Sequence, residues 1–354
     1  MEKIKIAYFD FSGGNEAYSI DPVVYGGGSI FGRWAKENLN ESGDFEFYIF
    51  GHKNCFKDLS RLRTENNSHC LSLDQRTLDK IRYGEKIEQV LPLIKYFDIV
   101  MHHNVLEYLV TDKKQVIWCP FGKSEDAHPL LKYIFCFRKN QIPRSNKQNI
   151  YPVMIGSEVP SSFVENEKRD YVFCCYRHDE QTNSIEVAKN CLKHGIKGYF
   201  AGPIYGENGN YKLLDYIDNK TTFYLGIIPD EQKTALYKGA RLCPFIYERN
   251  PGGSFSVVDS LSFGSPILVP KDDLRERKNS KAMFDGLILP DEQFLKSVIE
   301  ENETGFFYNG ENFLECFEKA KHANQKKCWE KSVELSKKKM IELFSSALKE
   351  VVKD

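Results

Sequence analysis

The stretch PFIYERNPGGSFSVVDSLSFGSPILVP, running from Pro244 to Pro270, decides the fold. It opens as the end of an apolar run, Leu242 to Tyr247, that reads as a strand. A polar loop with Gly252 and Gly253 follows, then an apolar segment that carries Asp259. Gly264 and Pro266 end that segment, and Ile267, Leu268 and Val269 read as the next strand. Strand, loop, helix and strand in this order make one crossover unit of a parallel α/β sheet. Carboxylates such as Glu248 and Asp259 accept hydrogen bonds from vicinal hydroxyls, which suits a sugar or a ribose. The backbone of Gly252, Gly253 and Ser254 can approach a hexose ring or a phosphate, although the same residues also read as an exposed loop.

Outward from this stretch the pattern repeats. Ile4 to Phe11 reads as a buried first strand, Phe45 to Phe50 as a second, and Ile99 to Met101 and Val116 to Trp118 as two more. A second series starts near Asp170: strand Tyr171 to Tyr176, helix Ile185 to His194, strand Gly198 to Ala201, and strand Phe223 to Leu225. Pro229 to Tyr237 has helix-start character, with Asp230 and Glu231 in its first turn. The polar segment Ser157 to Lys168 reads as the linker. Trp329 to Val352 reads as one amphipathic helix, with Val333, Met340, Ile341, Phe344, Leu348 and Val351 on its apolar stripe.

At 354 residues the chain is long enough for two domains. Its formal charge of −1 provides no global field for nucleic acid, which is not expected as a partner. The ten cysteines contain no C-x-x-C pair, and adjacent Cys174 and Cys175 are poorly placed for a mutual disulfide. The expectation is a reduced, cytoplasmic protein without a spanning segment. His52, Cys55, His69 and Cys70 match no standard zinc spacing, and no metal site is expected. Phe137 to Lys147 carries four cations and no acid, which fits a solvated loop or a peripheral contact with anionic lipid.

Tyr25-Gly26-Gly27-Gly28-Ser29 precedes residues at helical spacing, with Ser29 as a credible N-cap, so its amides can form an anion site. A dinucleotide fingerprint needs G-x-G-x-x-G directly after the first strand; here position 31 is phenylalanine and the gap is too long.

Taken together, the chain resembles the GT-B glycosyltransferases, most closely the retaining nucleotide-sugar enzymes of glycosyltransferase family 4. The matching elements are Gly26 to Gly28, the turn Ile155-Gly156-Ser157-Glu158-Val159, Arg177 after a strand, Asp259 with Gly264 and Pro266, and Glu303-Thr-Gly305-Phe-Phe. The resemblance implies two Rossmann-like domains facing a central cleft, with residues 1–157 taking the acceptor, 158–328 the donor, and helix 329–354 crossing back. It implies a hexosyltransferase that needs no cofactor, with a UDP-sugar favoured over a GDP-sugar and a glycan, lipid-linked or other hydroxyl acceptor. Arg177 and the Gly26, Gly27 and Gly28 amides would stabilise the departing diphosphate, and Asp259 would hold the ribose. Glu248, Gly252, Gly253 and Ser254 would contact the donor sugar, with His128 or His103 near it. No D-x-D motif occurs, which points to metal independence.

The departures are specific. Ten residues separate Glu248 from Asp259, where the family has seven between two glutamates. Thr182 stands where the family has a lysine five residues after the arginine. A catalytically weakened sugar-nucleotide binder therefore stays open as an alternative, and an NAD(P)-dependent oxidoreductase is a second.

Overall fold

The computed structural model describes residues 2–11, 35–52, 69–103, 108–119, 130–136, 149–152, 156–180, 182–205, 212–246, 255–271 and 299–354. The chain divides into two compact units, Met1–Ile155 with Lys338–Asp354, and Gly156–Lys337.

In the first unit the described strands are β1 (Ile4–Asp10), β2 (Phe45–His52), β3 (Cys70–Leu73), β4 (Ile99–His103), β5 (Lys114–Cys119), β6 (Tyr133–Cys136) and β7 (Asn149–Pro152), with helix α1 (Gln75–Arg82) after β3. They form one seven-stranded sheet in the order β3-β2-β1-β4-β5-β6-β7, and every pairing is parallel. A parallel sheet is covered on both faces, which is why its central strands are apolar runs rather than alternating ones. Phe9 stands beside Phe50 on β2 and His102 on β4. Ala7, Phe9, Phe50 and Val100 pack with Leu78 and Ile81 of α1. Asp74 caps α1 by accepting from the Thr77 amide at 2.9 Å.

The second unit contains β8 (Arg169–Cys175), α2 (Ser184–His194), β9 (Lys197–Ala201), β10 (Thr222–Gly226), α3 (Asp230–Gly239), β11 (Ala240–Pro244), α4 (Phe255–Ser262), β12 (Ile267–Pro270), β13 (Gly305–Tyr308), α5 (Phe313–Lys319) and α6 (Gln325–Glu334). Its six strands run in the order β10-β9-β8-β11-β12-β13. This is the doubly wound order, with the first strand central and the winding reversing between β8 and β11. Val172, Cys174, Val187, Cys191, Phe200, Leu242, Leu268 and Phe306 form the core on one face. Cys174 and Cys175 are both free thiols.

The single helix expected from Trp329 to Val352 is two helices, α6 and α7 (Lys337–Lys353). Between them Leu335 and Ser336 turn to meet Ser157. The Ser157 amide donates to Leu335 O at 3.3 Å, and the Lys337 amide donates to Ser157 O at 2.7 Å. Backbone groups that a continuous helix would pair internally are thus used by another segment. Gly156 lies against the same corner, where a Cβ would be driven into the Ser336 carbonyl. The second unit extends through Lys337. Val333 is exposed and off the stripe. Met340, Phe344, Leu348 and Val351 are buried, and the Phe344 ring meets Trp118 and Phe135 edge-on at 5.8 and 5.1 Å.

Candidate functional site

In an open doubly wound sheet, ligands bind beyond the carboxyl ends of the strands where the winding reverses. In the second unit that place lies between β8 and β11. β8 delivers Tyr176, Arg177 and His178 there, and β11 delivers Phe245 and Ile246. Two hydrogen bonds close this edge. Tyr176 Oη donates to Pro244 O at 3.1 Å, and Ser256 Oγ, in the first turn of α4, donates to Cys175 O at 2.6 Å.

Arg177 is half exposed, and its Nε pairs with Asp179 Oδ2 at 2.5 Å. Asp179 Oδ1 accepts from the Thr182 amide, and Thr182 Oγ1 accepts from the Asp179 amide, both at 3.0 Å. Thr182, where the resemblance raised the expectation of a lysine, is therefore built into a reciprocal turn. Beneath this turn His178 is buried. Its Nε2 lies 3.0 Å from Ala201 O, a group that can only accept, so Nε2 carries the proton. Nδ1 then accepts from Ser184 Oγ at 2.7 Å. Burial lowers this imidazole from an ordinary 6.5 to about 4, with the Ala201 carbonyl opposing. It is a neutral structural histidine that fixes the start of α2.

Asp259, on α4, is 9% exposed, and both of its carboxylate oxygens are engaged. Oδ1 accepts from Ser157 Oγ at 2.5 Å, and Oδ2 pairs with Lys233 Nζ of α3 at 3.1 Å. Burial works against the Lys233 charge, but the carboxylates of Asp259 and Asp230 outweigh it and hold the ammonium well above the ordinary lysine value. Burial pushes the neighbouring Cys175 thiol up to about 12, which rules it out as a thiolate nucleophile. The result is a fixed carboxylate-ammonium pair, able to accept and to donate hydrogen bonds.

Of the residues expected at the site, Arg177 and Asp259 are described and belong to the second unit, while His103 ends β4 in the first. Gly26, Gly27, Gly28, His128, Glu248, Gly252, Gly253, Ser254 and the segment from Phe137 to Lys147 lie outside the described residues. Sequence reasoning did not single out Lys233 and left Ser157 as a turn and linker residue. Lys233 meets an acid 26 positions later in the chain, and Ser157 meets the same acid across 102 positions, separations that no local pattern encodes. Among the described residues no helix is long and apolar enough to cross a membrane.

No protein-family model matches the chain, and no curated protein is significantly similar to it in sequence. Solved structures are similar along its whole length. A glycosyltransferase from Rickettsia africae aligns over 100% of both chains at 12% identity, with a TM-score of 0.68. HepE from Anabaena, solved in complex with UDP-glucose, aligns over 98% of this chain and 100% of its own at 11% identity, with a TM-score of 0.66. Sucrose-phosphate synthase from Thermosynechococcus elongatus aligns over 99% of both chains at 11% identity, with a TM-score of 0.65. With two doubly wound parallel sheets and this full-length likeness, the chain has the GT-B fold of those enzymes.

Proposed function

We propose that this protein is a retaining, metal-independent glycosyltransferase that moves a hexose from a nucleoside-diphosphate sugar, with UDP favoured, to a hydroxyl acceptor on a glycan or lipid-linked glycan. The observation that carries this reading is Asp259, a carboxylate fixed at the reversal point of a GT-B unit. In this reading Asp259 accepts from the ribose hydroxyls. Arg177 meets the diphosphate as it leaves the anomeric carbon, stabilising charge that develops in the transition state. Glu248 with Gly252, Gly253 and Ser254 faces the donor sugar, and the Gly26, Gly27 and Gly28 amides and His128 keep the roles their motifs imply. The acceptor hydroxyl attacks from the leaving-group side, so configuration is retained. Metal independence rests on the lack of a D-x-D motif in the sequence. The basic segment from Phe137 to Lys147 suits an acceptor presented at an anionic membrane surface.

One observation favours a second reading. The Thr182 turn holds no cation where a lysine would assist Arg177, as in a sugar-nucleotide binder with little turnover. An oxidoreductase is disfavoured because neither β1 nor β8 runs into G-x-G-x-x-G. The test is a thermal-shift panel of UDP, GDP, CDP, dTDP and NAD, with and without EDTA. Stabilisation by UDP that EDTA does not alter is the expected result. Stabilisation by NAD alone refutes the proposal. UDP binding without release of sugar from any UDP-hexose supports the second reading.

A further inference from the structure

The Lys233-Asp259 pair has a polarity that the roles assigned so far do not use. Of the two side chains Lys233 is the more exposed, 29% against 12%, so the ammonium rather than the carboxylate is the outer member. An ammonium has three donors, and Asp259 Oδ2 at 3.1 Å and Asp230 Oδ1 at 3.4 Å take two. A carboxylate offers about four lone-pair sites, of which Ser157 and Lys233 take two. The pair thus keeps donor and acceptor capacity side by side. Its charges cancel, and Asp230 adds a further negative charge beside the lysine, so the pair is a poor seat for phosphate. A neutral vicinal diol is the complementary ligand, because each hydroxyl both gives and accepts a hydrogen bond.

We propose that Lys233 is a specificity-determining residue of the donor site: it donates to the ribose 2′ hydroxyl oxygen while Asp259 accepts the proton of the 3′ hydroxyl. This rests on the donor-binding reading above and extends it to a residue on α3. It makes the site discriminate ribose from deoxyribose through a pair held in place by Ser157.

The test is calorimetric titration of the full chain with UDP and with 2′-deoxy-UDP. Wild type should bind UDP about tenfold more tightly than 2′-deoxy-UDP, since a site built to bond a hydroxyl rejects the analogue that lacks it. Lys233→Met should bind the two with equal affinity. Because Lys233→Met leaves the Asp259 charge without its partner, a second variant, Lys233→Met with Asp259→Asn, removes both charges and is checked for folding by circular dichroism. Equal affinities in Lys233→Met and in that variant, with the preference for UDP kept in Asp259→Asn alone, support the proposal. A wild-type ratio kept in a folded variant, with both ligands weakened alike, makes Lys233 merely structural and overturns it. A wild type that binds UDP without preferring it to the deoxy analogue also overturns it, while leaving the donor-binding reading intact. A folded wild type that binds neither ligand refutes both.

Discussion

His178 makes the stability of the second unit depend on pH in a calculable way. The unfolded chain titrates this imidazole near 6.5, whereas the folded chain holds it at about 4 by burial. Between these values the unfolded state binds a proton that the folded state refuses, so folding stability rises with pH across that window. The contribution is complete above 6.5, is lost as pH falls through 6.5, and levels off below about 4. Going from about pH 7 to about pH 5, this one group removes about 2 kcal/mol. His178→Gln is the matched control, because its amide can donate to Ala201 O and accept from Ser184 Oγ without titrating. Urea unfolding of both chains, followed by circular dichroism at each pH, cancels every titration they share. Wild type should lose about 2 kcal/mol more than the variant over that interval. Identical pH profiles would refute the assignment of a neutral, buried imidazole.

Three further outcomes follow from the packing and the site. Gly202 has φ of 120°, and a Cβ there would be driven into the Tyr176 carbonyl, so Gly202→Ala should cost about 2–5 kcal/mol in urea unfolding. Arg177→Ala should weaken UDP about tenfold in calorimetry and leave uridine unchanged, as expected for loss of one charge-assisted contact to phosphate. The arginine is half exposed, so the unfolding midpoint should hardly move. Phe344→Ala removes a ring fully buried against Trp118 and Phe135 and should destabilise the first unit by about 3–5 kcal/mol, read from its unfolding midpoint.

The fold was legible where burial is two-sided. Ile4 to Phe11, Tyr171 to Tyr176 and Gly198 to Ala201 became β1, β8 and β9 within two residues at each end, because a strand covered on both faces must be apolar throughout. The short outer strands β3, β6 and β7, four residues each, were not read, since such runs carry too little pattern to stand out. The terminal helix was read as continuous because Leu335 and Ser336 break it through bonds to Ser157, far away in sequence. At the site, Arg177 and Asp259 stood out by residue type and offset, as did the substitution at Thr182. What Thr182 does instead, bonding to Asp179 within a turn, is short-range, but it depends on Arg177 and His178 fixing where that turn lies. Lys233 had no such signature: three residues past Asp230 in the first turn of a helix, it reads as an ordinary solvated cation until the fold brings Asp259 to it.

The order in which the chain emerges during synthesis runs against the order of its units. Residues 156–337 form a contiguous insertion, so everything their sheet and helices need has been made once Lys337 is added. The first unit is begun earlier but completed later, because Met340, Phe344, Leu348 and Val351 fill part of its core. Lys114 Nζ also reaches the carbonyls of Val351 and Val352, at 3.0 and 2.7 Å, and Tyr133 Oη donates to Asp354 at 2.9 Å. On the ribosome the amino-terminal sheet therefore waits with an uncovered apolar face while the unit that follows it closes, and nascent chains stalled before residue 340 should present that face to chaperones.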